Sequence, residues 1–159
     1  MALSESIVGT HYRYPDSYAV EREKIREYAK AVQNEDPSFF SDEAAAELGY
    51  AGLPTPLTFI SVFSYRAQRA CFDDANIGIT DRQIVQIDQQ LKFLAPIQAG
   101  DELHCDVYLH SVREAHGTDI IVTKNIITNQ DGQVVQEAYT TLAGRSEENG
   151  ESGFNDGTA

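Results

Sequence analysis

Glu35, Asp36 and Glu43 lie close together in the chain, and a carboxylate of such a cluster can take a proton from water and so activate it as a nucleophile. The four histidines, His11, His104, His110 and His116, are scattered. The first falls in the N-terminal segment and the others in stretches that read as strands or a hairpin, so surface or hydrogen-bonded structural roles are expected of them. Asp88, between Ile87 and Gln89, reads as a strand residue that could pair at an interface. Cys71 and Cys105 are far apart with no C-x-x-C spacing, which predicts reduced, packed thiols and no metal site. No cofactor is implied.

These side chains must be held by one domain, because 159 residues with 42% apolar content suit a single core and show no break in composition. The expected domain is residues 1–144, followed by a disordered acidic tail over residues 145–159, where Gly, Ser, Asn and Glu leave little to bury. The net charge of −13 opposes nucleic acid and anionic lipid as partners. A basic row, Arg22, Lys24, Arg26 and Lys30, is the one candidate for docking an acidic partner. The N-terminus has no basic region ahead of an apolar run, and no stretch could span a bilayer, so a cytoplasmic protein is expected.

Apolar residues at offsets of three and four predict a helix over residues 21–32, with Ile25, Tyr28, Ala29 and Val32 on one face. Ser41 before Asp42 and Glu43 predicts a capped short helix that Gly49 ends. Residues 57–72, almost uncharged until Arg66, predict a long buried helix carrying the small residues Ser61, Ser64, Ala67 and Ala70. Beyond residue 84 the period changes to two in four runs, 84–94, 102–112, 118–128 and 134–142. Gly117 and the turn at residues 129–132 punctuate them, which predicts an antiparallel sheet and an α+β fold with segregated elements.

The stretch Val-Gln-Asn-Glu-Asp-Pro-Ser-Phe-Phe at residues 32–40, with the short helix after it, resembles the Gly-Asp-x-Asn-Pro-x-His motif of the MaoC-like hot-dog proteins. The resemblance implies a hot-dog fold, a long central helix wrapped by an antiparallel sheet, dimerising into a double hot dog. Further stretches, among them His-Tyr-Arg-Tyr-Pro-Asp at residues 11–16, Pro-Leu-Thr-Phe at 56–59 and Glu-Ala-Tyr-Thr-Thr-Leu-Ala-Gly-Arg at 137–145, resemble the A-subunit type of the mycobacterial (3R)-hydroxyacyl-acyl-carrier-protein dehydratase. The sister C-subunit type is the nearest competitor. The resemblance covers the chain up to its tail.

Dehydration of a 3-hydroxyacyl thioester needs a base at C2, an acid for the departing hydroxyl and donors for the thioester oxygen. The motif lays Asn34 on the family's Asp and Phe39 on its His, so neither group that transfers protons is present. Pro56 falls where active relatives present a Gly N–H to the thioester, and proline has none. The resemblance therefore implies a chain with no catalytic residue. Phe39, Pro56, Ile60, Ser61, Tyr65, Val85 and Gln86 would border a channel for an acyl chain. The implied partners are a catalytic B subunit, forming a heterodimer with this chain, and acyl carrier protein bearing a long acyl chain bound for mycolic acid elongation. Two rivals remain open at this point: an autonomous homodimeric hot-dog thioesterase or hydratase using Glu35, Asp36 or Glu43, and a homodimer that binds acyl thioesters without turnover.

Overall fold

The period-two runs assemble one antiparallel sheet in the computed structural model, which describes residues 5–79, 83–145 and 153–155. Short strands β1 (His11–Arg13) and β2 (Tyr18–Ala19) precede helix α1 (Arg22–Ala31), a 3-10 turn over Pro37–Phe39, and helix α2 (Asp42–Glu47). Helix α3 (Ser61–Asp74) and strand β3 (Gly78–Ile79) follow, then the long strands β4 (Ile84–Phe93), β5 (Glu102–Ala115), β6 (Thr118–Thr128) and β7 (Val134–Arg145). Strand β8 (Phe154–Asn155) closes the described chain.

The sheet runs β1-β5-β6-β7-β4, with β2 also pairing to β5, and β3 and β8 form a separate two-stranded ladder. His116 and Gly117 both have positive φ between the paired Ala115 and Thr118, the geometry a two-residue hairpin needs to follow the sheet's twist. One face of the sheet curls around α3. Leu103, Cys105, Val107 and Leu109 of β5 and Ile121 and Ile127 of β6 are fully buried there against Phe63, Ala67, Cys71 and Phe72 of the helix. This is the α+β layout expected from the sequence, with α3 shifted about one turn toward the C-terminus. Its first turn starts only at Ser61 because residues 57–60 form tight turns, with Phe59 N–H donating to Pro56 O at 2.9 Å and Ser61 N–H to Thr58 O at 3.1 Å. Among the described residues no helix is long and apolar enough to cross a membrane.

The expected disordered tail needs correcting at its described part. Phe154 is fully buried and β8 pairs antiparallel with β3, Phe154 opposite Ile79. A single aromatic ring that finds a nonlocal seat overrides a polar composition. Residues 146–152 and 156–159 lie outside the described residues.

Candidate functional site

The loop between α1 and α2 is fixed by its own polar atoms. Asn34 N–H donates to Ala29 O at 2.8 Å, and Asn34 Oδ1 accepts from Asp36 N–H at 3.2 Å. Asp36 in turn accepts from Ser38 N–H at 2.9 Å and from the Ser38 hydroxyl at 2.7 Å, which caps the 3-10 turn. The Ser38 hydroxyl and N–H hold the Asp36 carboxyl below its usual value. The turn delivers Phe39, half-buried, onto the core, while Asn34 stays exposed. The two motif positions thus carry an amide in solvent and a phenyl ring in packing contact.

None of the carboxylates that could activate water lines a described cavity. Glu35 is exposed and Asp36 is the turn cap. Glu43 accepts from the Ser41 hydroxyl at 2.7 Å, which lowers its pKa, and Ser41 Oγ itself accepts from Ala44 N–H at the start of α2. Three of the four histidines have structural partners, and His116 sits at positive φ in the hairpin turn. His11 stacks on Tyr108 and lies 2.7 Å from Asp106, His104 lies 3.8 Å from Glu102, and His110 meets the Tyr139 ring edge-on. Burial pushes the Cys71 thiol up to about 11 and raises that of Cys105 as well, so neither is a thiolate at neutral pH.

A space that could take a chain-like ligand lies between α3 and the start of β4. It has a volume of about 430 Å³ and is lined by Tyr65, Phe72, Ile79, Ile84, Gln86 and Leu142, with Gln68 and Arg69 beside them. Tyr65 and Gln86 are exposed at its margin, and the apolar residues form its interior walls. At its inner side the helix is tied to the sheet by buried polar contacts. Gln68 Nε2 donates to Thr123 Oγ1 at 2.9 Å, and Asn125 Nδ2 donates to Ser64 O at 3.2 Å. A second, smaller space of about 310 Å³ lies between the loop before α3 and the end of β4, lined by Tyr50, Pro54, Leu57, Phe93, Leu94 and Gln136 among others.

Of the channel residues expected from the sequence, Tyr65 and Gln86 come together in the larger space. Ile60 is instead core, 1% exposed. Ser61 faces α1, 3.2 Å from the Tyr28 hydroxyl, which also donates to Thr58 O at 2.9 Å. Pro56 is buried in the turn that leads into α3, and Phe39 packs on the core without lining either space. Val85 is exposed beside Gln86 in the chain but on the opposite face of β4. Sequence reasoning missed Phe72, Ile79, Ile84 and Leu142. Ile84 opens the first of the period-two runs and Leu142 closes the last, and the antiparallel pairing of β4 with β7, Gln86 opposite Leu142 and Ile84 opposite Gly144, brings them together.

Strand β4 is an edge strand, and its residues are exposed over most of its length, with a register irregularity between Gln86 and Asp88. Val85, Ile87, Phe93 and Leu94 at or beside this edge are large apolar residues left in solvent, next to Leu57 and Tyr65. An uncovered apolar edge of that length is a template for a further strand. The basic row of α1 is largely neutralised. Arg22 lies 2.6 Å from Asp42, Lys24 lies 2.9 Å from Glu27, and Arg26 pairs with Glu23 and donates to Phe40 O.

Residues 6–138 match the FAS1-like dehydratase domain region. The UPF0336 protein of Mycobacterium leprae is 69% identical over 159 residues, 100% of each chain. The crystal structure of the C-terminally truncated HadBC (3R-hydroxyacyl-ACP dehydratase) complex of Mycobacterium tuberculosis contains a similar chain, with TM-score 0.81 and 48% identity over 87% of this chain and 97% of that one. A MaoC-like dehydratase gives TM-score 0.82 and 40% identity over 89% of this chain but only 43% of that chain.

Proposed function

The chain belongs to the MaoC-like hot-dog dehydratase family, and on that premise we propose that it is the substrate-holding, non-catalytic subunit of a heterodimeric (3R)-hydroxyacyl-ACP dehydratase. The observation that carries the reading is the pairing of Asn34 with Phe39 where the family's motif has its acid and base. An amide does not exchange protons near neutral pH and a phenyl ring has no heteroatom, so no shift of environment restores either role.

The rest of the site supports holding rather than turning over. The cavity between α3 and β4 has apolar interior walls, and each methylene buried there is worth about 0.8 kcal/mol. The exposed β4 edge fits a second hot-dog chain, which would supply the Asp, the His and the N–H donor that Pro56 lacks. The similar chain of the HadBC structure comes from a complex of two subunits, and the longer MaoC-like relative has room for a second unit in one polypeptide. The greater identity to the full-length mycobacterial relative than to the HadBC chain supports a subunit type other than that chain's, namely the A type. Acyl carrier protein bearing a long acyl chain, on the route to mycolic acids, is the substrate carrier in this reading. Its docking does not rest on Arg22, Lys24 or Arg26, which already have carboxylate partners.

Purification of the chain alone and with a candidate catalytic partner, followed by assay of trans-2-enoyl thioester hydration, tests the proposal. The lone chain is expected to be inactive and the complex active. Turnover by the lone chain, or failure of any complex to form, contradicts it.

A further inference from the structure

The C-terminal strand β8 is seated on bare backbone. Phe154 is fully buried, and a Cβ added to Gly144 would stand 2.7 Å and 2.8 Å from two carbons of its ring. A Cβ on Gly153 would meet Gly144 Cα at 2.8 Å and Gln83 O at 2.9 Å, and Gly153 N–H donates to Arg145 O at 2.8 Å. Neither glycine has a positive φ, so what these two positions require is room for the ring and for the strand that carries it.

Three walls of the larger cavity converge on that ring. Ile79 is the register partner of Phe154, and Ile84 is the register partner of Gly144. Leu142 precedes Gly144 by two positions on β7 and therefore stands on the same face of the sheet. All three line the cavity, whose other margin is formed by the exposed Tyr65 and Gln86. A chain entering past Tyr65 and Gln86 would run toward the side that Phe154 backs.

We propose that Phe154 backs the end wall of this cavity and so sets the longest acyl chain it takes, an inference that rests on the reading that the cavity holds an acyl chain. Ile79, Ile84 and Leu142 are the surfaces the end of the chain would touch, and the ring behind them keeps them from receding. Close-packed interiors relax only partly when a side chain is cut back, so loss of the ring deepens the cavity instead of collapsing it.

The test uses the assembled complex with its catalytic partner and reads the binding of a long and a short trans-2-enoyl thioester by calorimetry. Leu142→Phe, which fills the cavity directly, is expected to lower the long-to-short affinity ratio. Phe154→Ala is expected to raise it by roughly fourfold for each further methylene admitted, the factor that corresponds to moving one methylene out of water. If Leu142→Phe leaves the ratio unchanged, the cavity is not the acyl site and the reading beneath this inference fails. If Leu142→Phe lowers the ratio while Phe154→Ala leaves it unchanged, or weakens both ligands equally, the end wall is refuted and the acyl cavity stands. Should Phe154→Ala prevent assembly, Phe154→Leu, which keeps an apolar side chain in the seat, decides in the same way: a raised ratio supports the wall and an unchanged one overturns it.

Discussion

Gln68 of α3 donates through Nε2 to Thr123 Oγ1 of β6 at 2.9 Å, a side-chain hydrogen bond buried between the central helix and the sheet. Both residues are shut off from water, so either one left alone carries the cost of an unpaired polar group. Thr123→Val keeps the shape and removes the acceptor, and is expected to destabilise the chain by about 1–3 kcal/mol in urea unfolding. The double variant Gln68→Leu, Thr123→Val is expected to lie closer to wild type than Thr123→Val alone. Additive losses would show that the bond contributes nothing.

The Asp36 cap predicts a pH dependence with a definite sign. Its folded-state pKa is lowered by the Ser38 hydroxyl and N–H, so the stability it contributes is present above the ordinary carboxyl value and is lost as pH falls through the folded value. Asp36→Asn is therefore expected to be less stable than wild type at neutral pH, with the gap closing in acid. Thermal melts of both proteins across the acid range check it, and a gap that is constant with pH contradicts the cap.

Strand β4 predicts association. The lone chain is expected to run as a homodimer or to precipitate, because Val85 and Ile87 leave an apolar edge uncovered. Ile87→Lys is expected to shift the lone chain toward monomer in gel filtration and to weaken its complex with a catalytic partner. A monodisperse wild-type monomer at micromolar concentration counts against pairing through this edge.

Much of this was legible in the sequence. Long periodic segments are self-reporting: β4 to β7 start where the alternation starts, α1 lies within a residue of the stretch with apolar offsets of three and four, and α2 begins just after its Ser41 cap. The short strands β1, β2, β3 and β8 were not legible, since two or three residues cannot show a period. Phe154 was hidden because its seat is made by Gly144 and Ile79, far away in sequence. The channel was half legible. Helical phase places Ser61, Tyr65 and Arg69 on one side of α3 and Ile60 in the core, but Ser61, one turn earlier, meets Tyr28, and it took the fold to tell which turns of that side meet β4.

Restoring the motif should not restore an enzyme. Asn34→Asp with Phe39→His returns the two proton-transfer groups, yet Pro56 still offers no N–H and the imidazole enters a half-buried apolar position. The variant is expected to remain inactive alone and to lose about 1–3 kcal/mol of stability from the poorly partnered polar group. Strong hydratase activity from it would place the missing donor elsewhere.

The most direct measurement is kcat for enoyl thioester hydration by the complex, with the motif positions altered in one subunit at a time. Asn34→Ala in this chain is expected to leave kcat and its pH profile as in wild type, while replacement of the corresponding Asp in the partner abolishes turnover. Loss of turnover on Asn34→Ala, with the complex still assembled, would contradict the assignment of this chain as the holder and its partner as the catalyst.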